Sequence, residues 1–148
     1  GFANPMEFLK LYLDHMVLGT LGIMSFIMLA FAVERYVYFW RIKLTDFKHL
    51  ELLKVALTRN LTSISSVGSN APYIGLLGTV LGILVTFHEM GQGGKIDVNT
   101  IMLGLAMALK ATAAGLFVAI PAILFYNGLM RKVDVLVARW EAAQDGHA

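Results

Sequence analysis

The sequence predicts an all-α integral membrane protein, a single domain of three transmembrane helices with helical extensions on the cytoplasmic side. Three observations predict it. Of the 148 residues, 57% are hydrophobic and 15% charged, where an ordinary soluble domain carries about a quarter charged residues; the mean hydropathy is +0.69. Three apolar runs have the length needed to cross a bilayer, about 20 residues: Met16–Val33, Ala71–Phe87 and Ile101–Leu129. The lysines and arginines gather on one side of those runs. Any one run would also suit a buried helix of a soluble protein, but three in so short a chain leave too few polar residues to cover them.

The first two runs contain no charge, and the third carries one, Lys110. Orientation follows from the basic residues beside the spans. Residues 34–70 hold Arg35, Arg41, Lys43, Lys48, Lys54 and Arg59, and the tail from 130 to 148 adds Arg131, Lys132 and Arg139. Lys10 and Lys95 alone stand on the opposite side, Lys95 in an outer turn at 88–100. The loop and the C-terminus are therefore expected in the cytoplasm and the N-terminus outside. Tyr36, Tyr38 and Trp40 follow the first span, where amphipathic rings favour the interface. No small-residue cleavage site ends the first run, so a cleavable signal is not expected.

The cytoplasmic parts also read as helical. Phe47, Leu50, Leu53 and Leu57 recur at helical spacing, and the breaker-rich stretch Thr62–Asn70 is expected to end that segment. Leu129, Val133, Leu136, Val137 and Trp140 form one apolar stripe, so the third span is expected to continue beyond the bilayer, its stripe packing between subunits.

The spans differ in kind. Bulky residues dominate the first (Ile23, Met24, Phe26, Ile27, Met28, Leu29, Phe31), as lipid contact requires. Small ones line one side of the second (Gly75, Gly78, Thr79, Gly82, Thr86) and of the third (Gly104, Ala108, Thr112, Gly115, Ala119). Small residues let membrane helices approach closely. The mid-span hydroxyls of Thr79 and Thr112 have two uses open to them, a bond to a carbonyl one turn back, the commoner one, or a polar cavity. Pro121 predicts a kink in the third helix. Lys110 lies about 60° from Met107 and about 160° from Thr112 around the helix, and roughly 10–13 Å into a hydrocarbon core of about 30 Å. Either it snorkels to the outer interface, or it points between subunits or into the cavity on the ion path and pairs with a membrane aspartate of a partner chain, marking function as intramembrane charges do by default.

Several functions are excluded. The chain has no cysteine, which removes disulfides and thiolate chemistry. A net charge of +2 without a basic patch away from the membrane flanks argues against nucleic acid. The four histidines lie apart, His147 at the tail end, and there is no phosphate-binding glycine loop. Neither enzyme activity, metal nor cofactor is expected.

The run Ala71-Pro72-Tyr73-Ile74-Gly75-Leu76-Leu77-Gly78-Thr79-Val80-Leu81-Gly82-Ile83 resembles the second-span signature of the ExbB/TolQ family. Gly104-Leu105-Ala106, Ala111-Thr112-Ala113-Ala114-Gly115-Leu116, Ala119-Ile120-Pro121-Ala122 and Tyr126-Asn127 resemble its third-span signature, and Glu34-Arg35 fits the end of the first span. The resemblance implies an energiser in the inner membrane of Gram-negative bacteria: a pentameric ring around the helices of an ExbD-type single-span partner, driven by proton-motive force and acting on a TonB-type protein. A TolQ-type subunit for outer-membrane maintenance is the near alternative, and a self-sufficient ion channel or a structural scaffold the others. MotA, with four spans, fits less well. The resemblance implies that Thr79 and Thr112 face the ion path. The chain departs from the pattern in its short cytoplasmic loop and at Met107, where the family usually has an acid and where Lys110 follows three residues later.

The topology has a direct check. With no native cysteine in the way, Gly93→Cys should react with an impermeant thiol reagent added outside, and Ser66→Cys should not. The reverse pattern would mean that the chain is inserted the other way round.

Overall fold

The computed structural model describes residues 5–94 and 96–146; Lys95 and His147 lie outside them. The order is α1 (Pro5–Arg41), a 3₁₀ turn (Leu44–Asp46), α2 (Leu50–Thr58), α3 (Leu61–Gly93) and α4 (Val98–Gly146), with no strand among the described residues. Helices α1, α3 and α4 are long and apolar enough to cross a membrane. At 1.5 Å per residue the 49-residue α4 is roughly 70 Å long, over twice the hydrocarbon thickness. It therefore projects well past the bilayer, with α2 beside its projecting part.

The inward face of α1 is a helical stripe: Val17, Leu21, Met28, Ala32, Arg35 and Phe39 are all buried. Ile23, Phe26 and Leu29 point outward, as expected of lipid-facing residues, but Met28 is 1% exposed and belongs to the core. A count of bulky residues cannot tell the two faces of one apolar helix apart; only the partners can.

Two cores stack along the bundle. Toward the α3–α4 turn, Val17 and Leu21 pack on Ala71, Ala111 and Ala119. Toward α2 lies a larger core, in which Leu53 and Leu57 of α2 join Met28, Phe39, Ile64, Leu129, Val133 and Trp140. The indole N–H of Trp140 donates to the Phe47 carbonyl at 3.0 Å. The stripe on the projecting part of α4 is thus covered by the chain's own α2 segment, and not left for a neighbouring subunit. The leucines at helical spacing and the tail stripe are the two halves of one interface.

The stretch Thr62–Asn70 does not break the helix, contrary to the reading of its composition; it forms the first turns of α3. The break falls earlier, at Asn60, whose φ of 68° interrupts the helix between α2 and α3. Asparagine tolerates this left-handed conformation better than most residues. The serines and asparagine do not unwind the helix, because their side chains bond backward along it: Ser69 Oγ and Asn70 Nδ2 both donate to the Ser66 carbonyl. Ile64, Val67, Gly68 and Ala71 meanwhile supply a buried face. Tertiary packing outweighs local propensity here.

Arg35 ties α1 to α2. The residue is 1% exposed. Nε and Nη2 bond the two carboxylate oxygens of Glu34, and Nη1 donates to the carbonyls of Ala56 at 2.7 Å and Leu57 at 3.3 Å. Those carbonyls belong to the last turn of α2, where no amide remains to bond them and the helix dipole favours a cation. The guanidinium also stacks over Tyr38, 4.3 Å from the ring centre. Arg35→Met should keep the bulk but leave the Ala56 and Leu57 carbonyls without their donor, costing about 1–3 kcal/mol. We expect a lower unfolding midpoint in detergent and faster proteolysis between 42 and 60; an unchanged midpoint would mean that Leu53 and Leu57 alone hold α2.

Candidate functional site

Helices α3 and α4 run antiparallel in register, and their small residues meet in pairs. Gly68 lies against Ala122, Gly75 against Gly115, Gly82 against Ala108 and Thr86 against Gly104. At Gly75 and Gly115 the backbones themselves touch. A Cβ on Gly75 would stand 2.5 Å from the Ala111 carbonyl oxygen, and one on Gly115 2.5 Å from that of Ala71. Gly78 is constrained from two directions, by Ala111 and by Val17 of α1.

One turn along from the glycine contact, Thr79 faces Thr112. Their hydroxyl oxygens are hydrogen-bonded to each other. The Thr79 hydroxyl also lies 2.7 Å from the Ala108 carbonyl and 3.3 Å from the Gly75 carbonyl of its own helix. Thr79 is 7% exposed, Thr112 half-buried. Thr79 has a single proton to give. If it goes to Ala108, Thr112 must donate within the pair, leaving its own oxygen free to accept. If it goes to Thr112, the Thr112 proton is free for another acceptor. The pair can therefore offer either an acceptor or a donor at Thr112 by rotating two hydroxyls, with no movement of the backbone.

Lys110 takes no part in this pair. Its Nζ lies 3.4 Å from a carboxylate oxygen of Asp14 on α1. One turn earlier on α1, Lys10 pairs with Glu89 of α3 at 2.6 Å. Beside them a cavity of about 250 Å³ opens between α1, α3 and α4, lined by Lys10, Asp14, Val17, Gly82, Thr86 and Met107 among others. Pro121 is accommodated inside a continuous α4.

Sequence reasoning missed Asp14, because it stands two residues before the first apolar run, while α1 begins well before that run. The signal was its spacing, one helical turn after Lys10. Thr86 was grouped only with the small residues, yet it is 1% exposed and its hydroxyl donates to the Gly82 carbonyl at 2.9 Å.

Three long apolar helices, with two of them in backbone contact around paired hydroxyls, define a helical membrane protein that carries polar groups inside its bundle. The chain belongs to the MotA/TolQ/ExbB proton channel family, which it matches over residues 43–142. It is 50% identical over 136 residues to a biopolymer transport protein ExbB of Helicobacter pylori, covering 92% of each chain. It is likewise 50% identical over 137 residues to one of Aquifex aeolicus, covering 93% of each. A Tol-Pal system protein TolQ of Pseudomonas aeruginosa is 37% identical over 100 residues, 63% of this chain and 43% of TolQ. The chain is thus of the ExbB type, and its short build is shared with the Helicobacter and Aquifex proteins.

The glycine contact yields a paired test. Gly115→Ala should force α3 and α4 apart, at about 1–3 kcal/mol for an overpacked interface. Gly19→Ala, with nothing within 4 Å of the new methyl, should leave the unfolding midpoint in detergent unchanged or slightly raised. Equal midpoints for the two variants would show that the helices can part at no cost.

Proposed function

We propose that this chain is a proton-motive-force-driven energiser subunit of an inner-membrane motor. It forms a homo-oligomeric ring, a pentamer by family resemblance, around ExbD-type single-span helices, and powers uptake across the outer membrane through a TonB-type protein. The N-terminus is periplasmic and the C-terminus cytoplasmic. The observation that carries the reading is the Thr79–Thr112 pair. Between Leu61 and Phe87, and between Val98 and Met130, these two helices contain no carboxylate, and Lys110 is their only charge. With no carboxylate in these stretches of the two helices to relay a proton, one from another chain fits, and the hydroxyl pair suits it. It can accept a hydrogen bond from a protonated carboxyl, or donate one to the carboxylate left after the proton departs. A partner carboxylate passing Thr112 is bonded in both states, which lowers the cost of holding it in the membrane. The ExbB-type relatives, matched over nearly their whole length, support this reading above the TolQ one.

Two measurements test it. Liposomes holding this chain alone should show almost no proton flux, and adding an ExbD-type protein should induce it. Strong flux from the chain alone would establish the self-sufficient channel instead. Thr79→Val and Thr112→Val keep the shape and leave the Ala108 carbonyl its own helical partner, so their structural cost should stay near ~1 kcal/mol, as for interhelical bonds in membranes. Assembly should survive while energised transport is lost. Normal transport in both variants would remove the hydroxyl pair from the mechanism.

A further inference from the structure

We propose that Lys110 acts through Asp14: the two form a clasp that fixes α1 against α4 beside the α3–α4 turn, and Lys110 is a positioning residue, not a station for the moving proton. Transport as a readout rests on the energiser reading above; the clasp itself does not.

The case begins with what holds α1 in place. Toward α2 it is anchored by Met28, Ala32, Phe39 and the buried Arg35. Toward the α3–α4 turn its apolar contacts thin out. Among the described residues Val17 and Leu21 are the last fully buried ones in this direction, and beyond them the 250 Å³ cavity lies between α1 and Gly82, Thr86 and Gly104. Past the level of Val17 the attachments are polar. Lys10 and Asp14, one turn apart on one face of α1, reach different helices with opposite polarity: Lys10 to Glu89 of α3, Asp14 to Lys110 of α4. Opposite charges on α1 set against opposite charges on its neighbours fix both its rotation and its height. Turning α1 by half a turn, or sliding it by one turn, would bring Lys10 toward Lys110 or Asp14 toward Glu89.

Such a pair is worth little on a wet protein surface. Beside a hydrocarbon core the balance changes, because either charge without the other is costly to keep there. Asp14 is 21% exposed at its side chain and Lys110 49%, so each relieves the other's desolvation while a route to water remains. Pairing also accounts for a lysine inside a span without any need for a mobile carboxylate to meet it.

The absence of native cysteines allows a direct test in the full chain, assembled with an ExbD-type partner. Asp14→Cys with Lys110→Cys should cross-link readily with a short bifunctional thiol reagent, whose spacer replaces the length of the lysine side chain, and the cross-linked complex should retain most of its transport, since the bridge replaces a contact that stays closed. Lys110→Met and Asp14→Asn alone should each lose most transport while still assembling. Exchanging the charges, Asp14→Lys with Lys110→Asp, should recover a substantial part. Failure to cross-link would overturn the clasp outright. A cross-linked complex that assembles but no longer transports would overturn the static role, because the pair would then have to open. If the exchanged pair stays as inactive as the single variants, Lys110 has a task besides holding Asp14 and the proposal fails. Loss of partner-dependent transport in the unaltered chain would count against the energiser reading only, and the cross-link yield would still decide the clasp.

Discussion

The backbone contact between Gly75 and Gly115 sets the rest of this structure. Where lipid tails are as apolar as leucine, helices gain nothing from hiding apolar surface, and close packing must supply the attraction. Two glycines facing each other remove the side chains that would hold the backbones apart, and the neighbouring carbonyls of Ala71 and Ala111 fill the space a Cβ would need. That single contact fixes the antiparallel register. Gly82 then falls on Ala108 and Thr86 on Gly104, and Thr79 meets Thr112 at hydrogen-bonding distance with its hydroxyl on the opposing Ala108 carbonyl. A methyl group at the glycine contact would separate the threonines without touching either.

The third helix of the bundle is held by different means at its two ends. Near α2, α1 is locked by a continuous apolar core and by Arg35, which closes the last turn of α2. Near the α3–α4 turn the core gives way to a cavity, and ion pairs take over. The threonine pair is also held by α3 and α4 themselves, so its geometry tolerates some adjustment of α1. The division leaves a rigid pair of helices carrying the polar groups, and a third, α1, whose position near the turn is set by contacts that water and charge can influence.

The short loop of this chain is part of the same economy. Larger relatives such as TolQ are matched over less than half their length, whereas the Helicobacter and Aquifex proteins match nearly end to end. Nine residues of α2 cover the projecting stripe of α4, and one buried arginine caps them.

The sequence alone determined the three spans, the all-helical class, the family and the small-residue faces of α3 and α4. The reason is that bilayer thickness and backbone hydrogen bonding leave a spanning chain very few options, so length, hydropathy and helical periodicity are enough. It did not locate the break at Asn60, because the serines and asparagine that read as helix breakers bond back to their own helix, while Ile64, Val67, Gly68 and Ala71 between them supply its buried face. Nor did it assign the stripe ending at Trp140, or the burial of Met28, since an apolar face is the same in sequence whether lipid, another subunit or the chain's own α2 covers it. The charge of Lys110 was evident from sequence, but its partner was not: Asp14 is 96 positions away, and two residues that distant become neighbours only when packing sets the rotation of both helices. Pattern fixes which elements form in a membrane; the register between them, and so every partner of every polar side chain, is decided by how closely the backbones can approach.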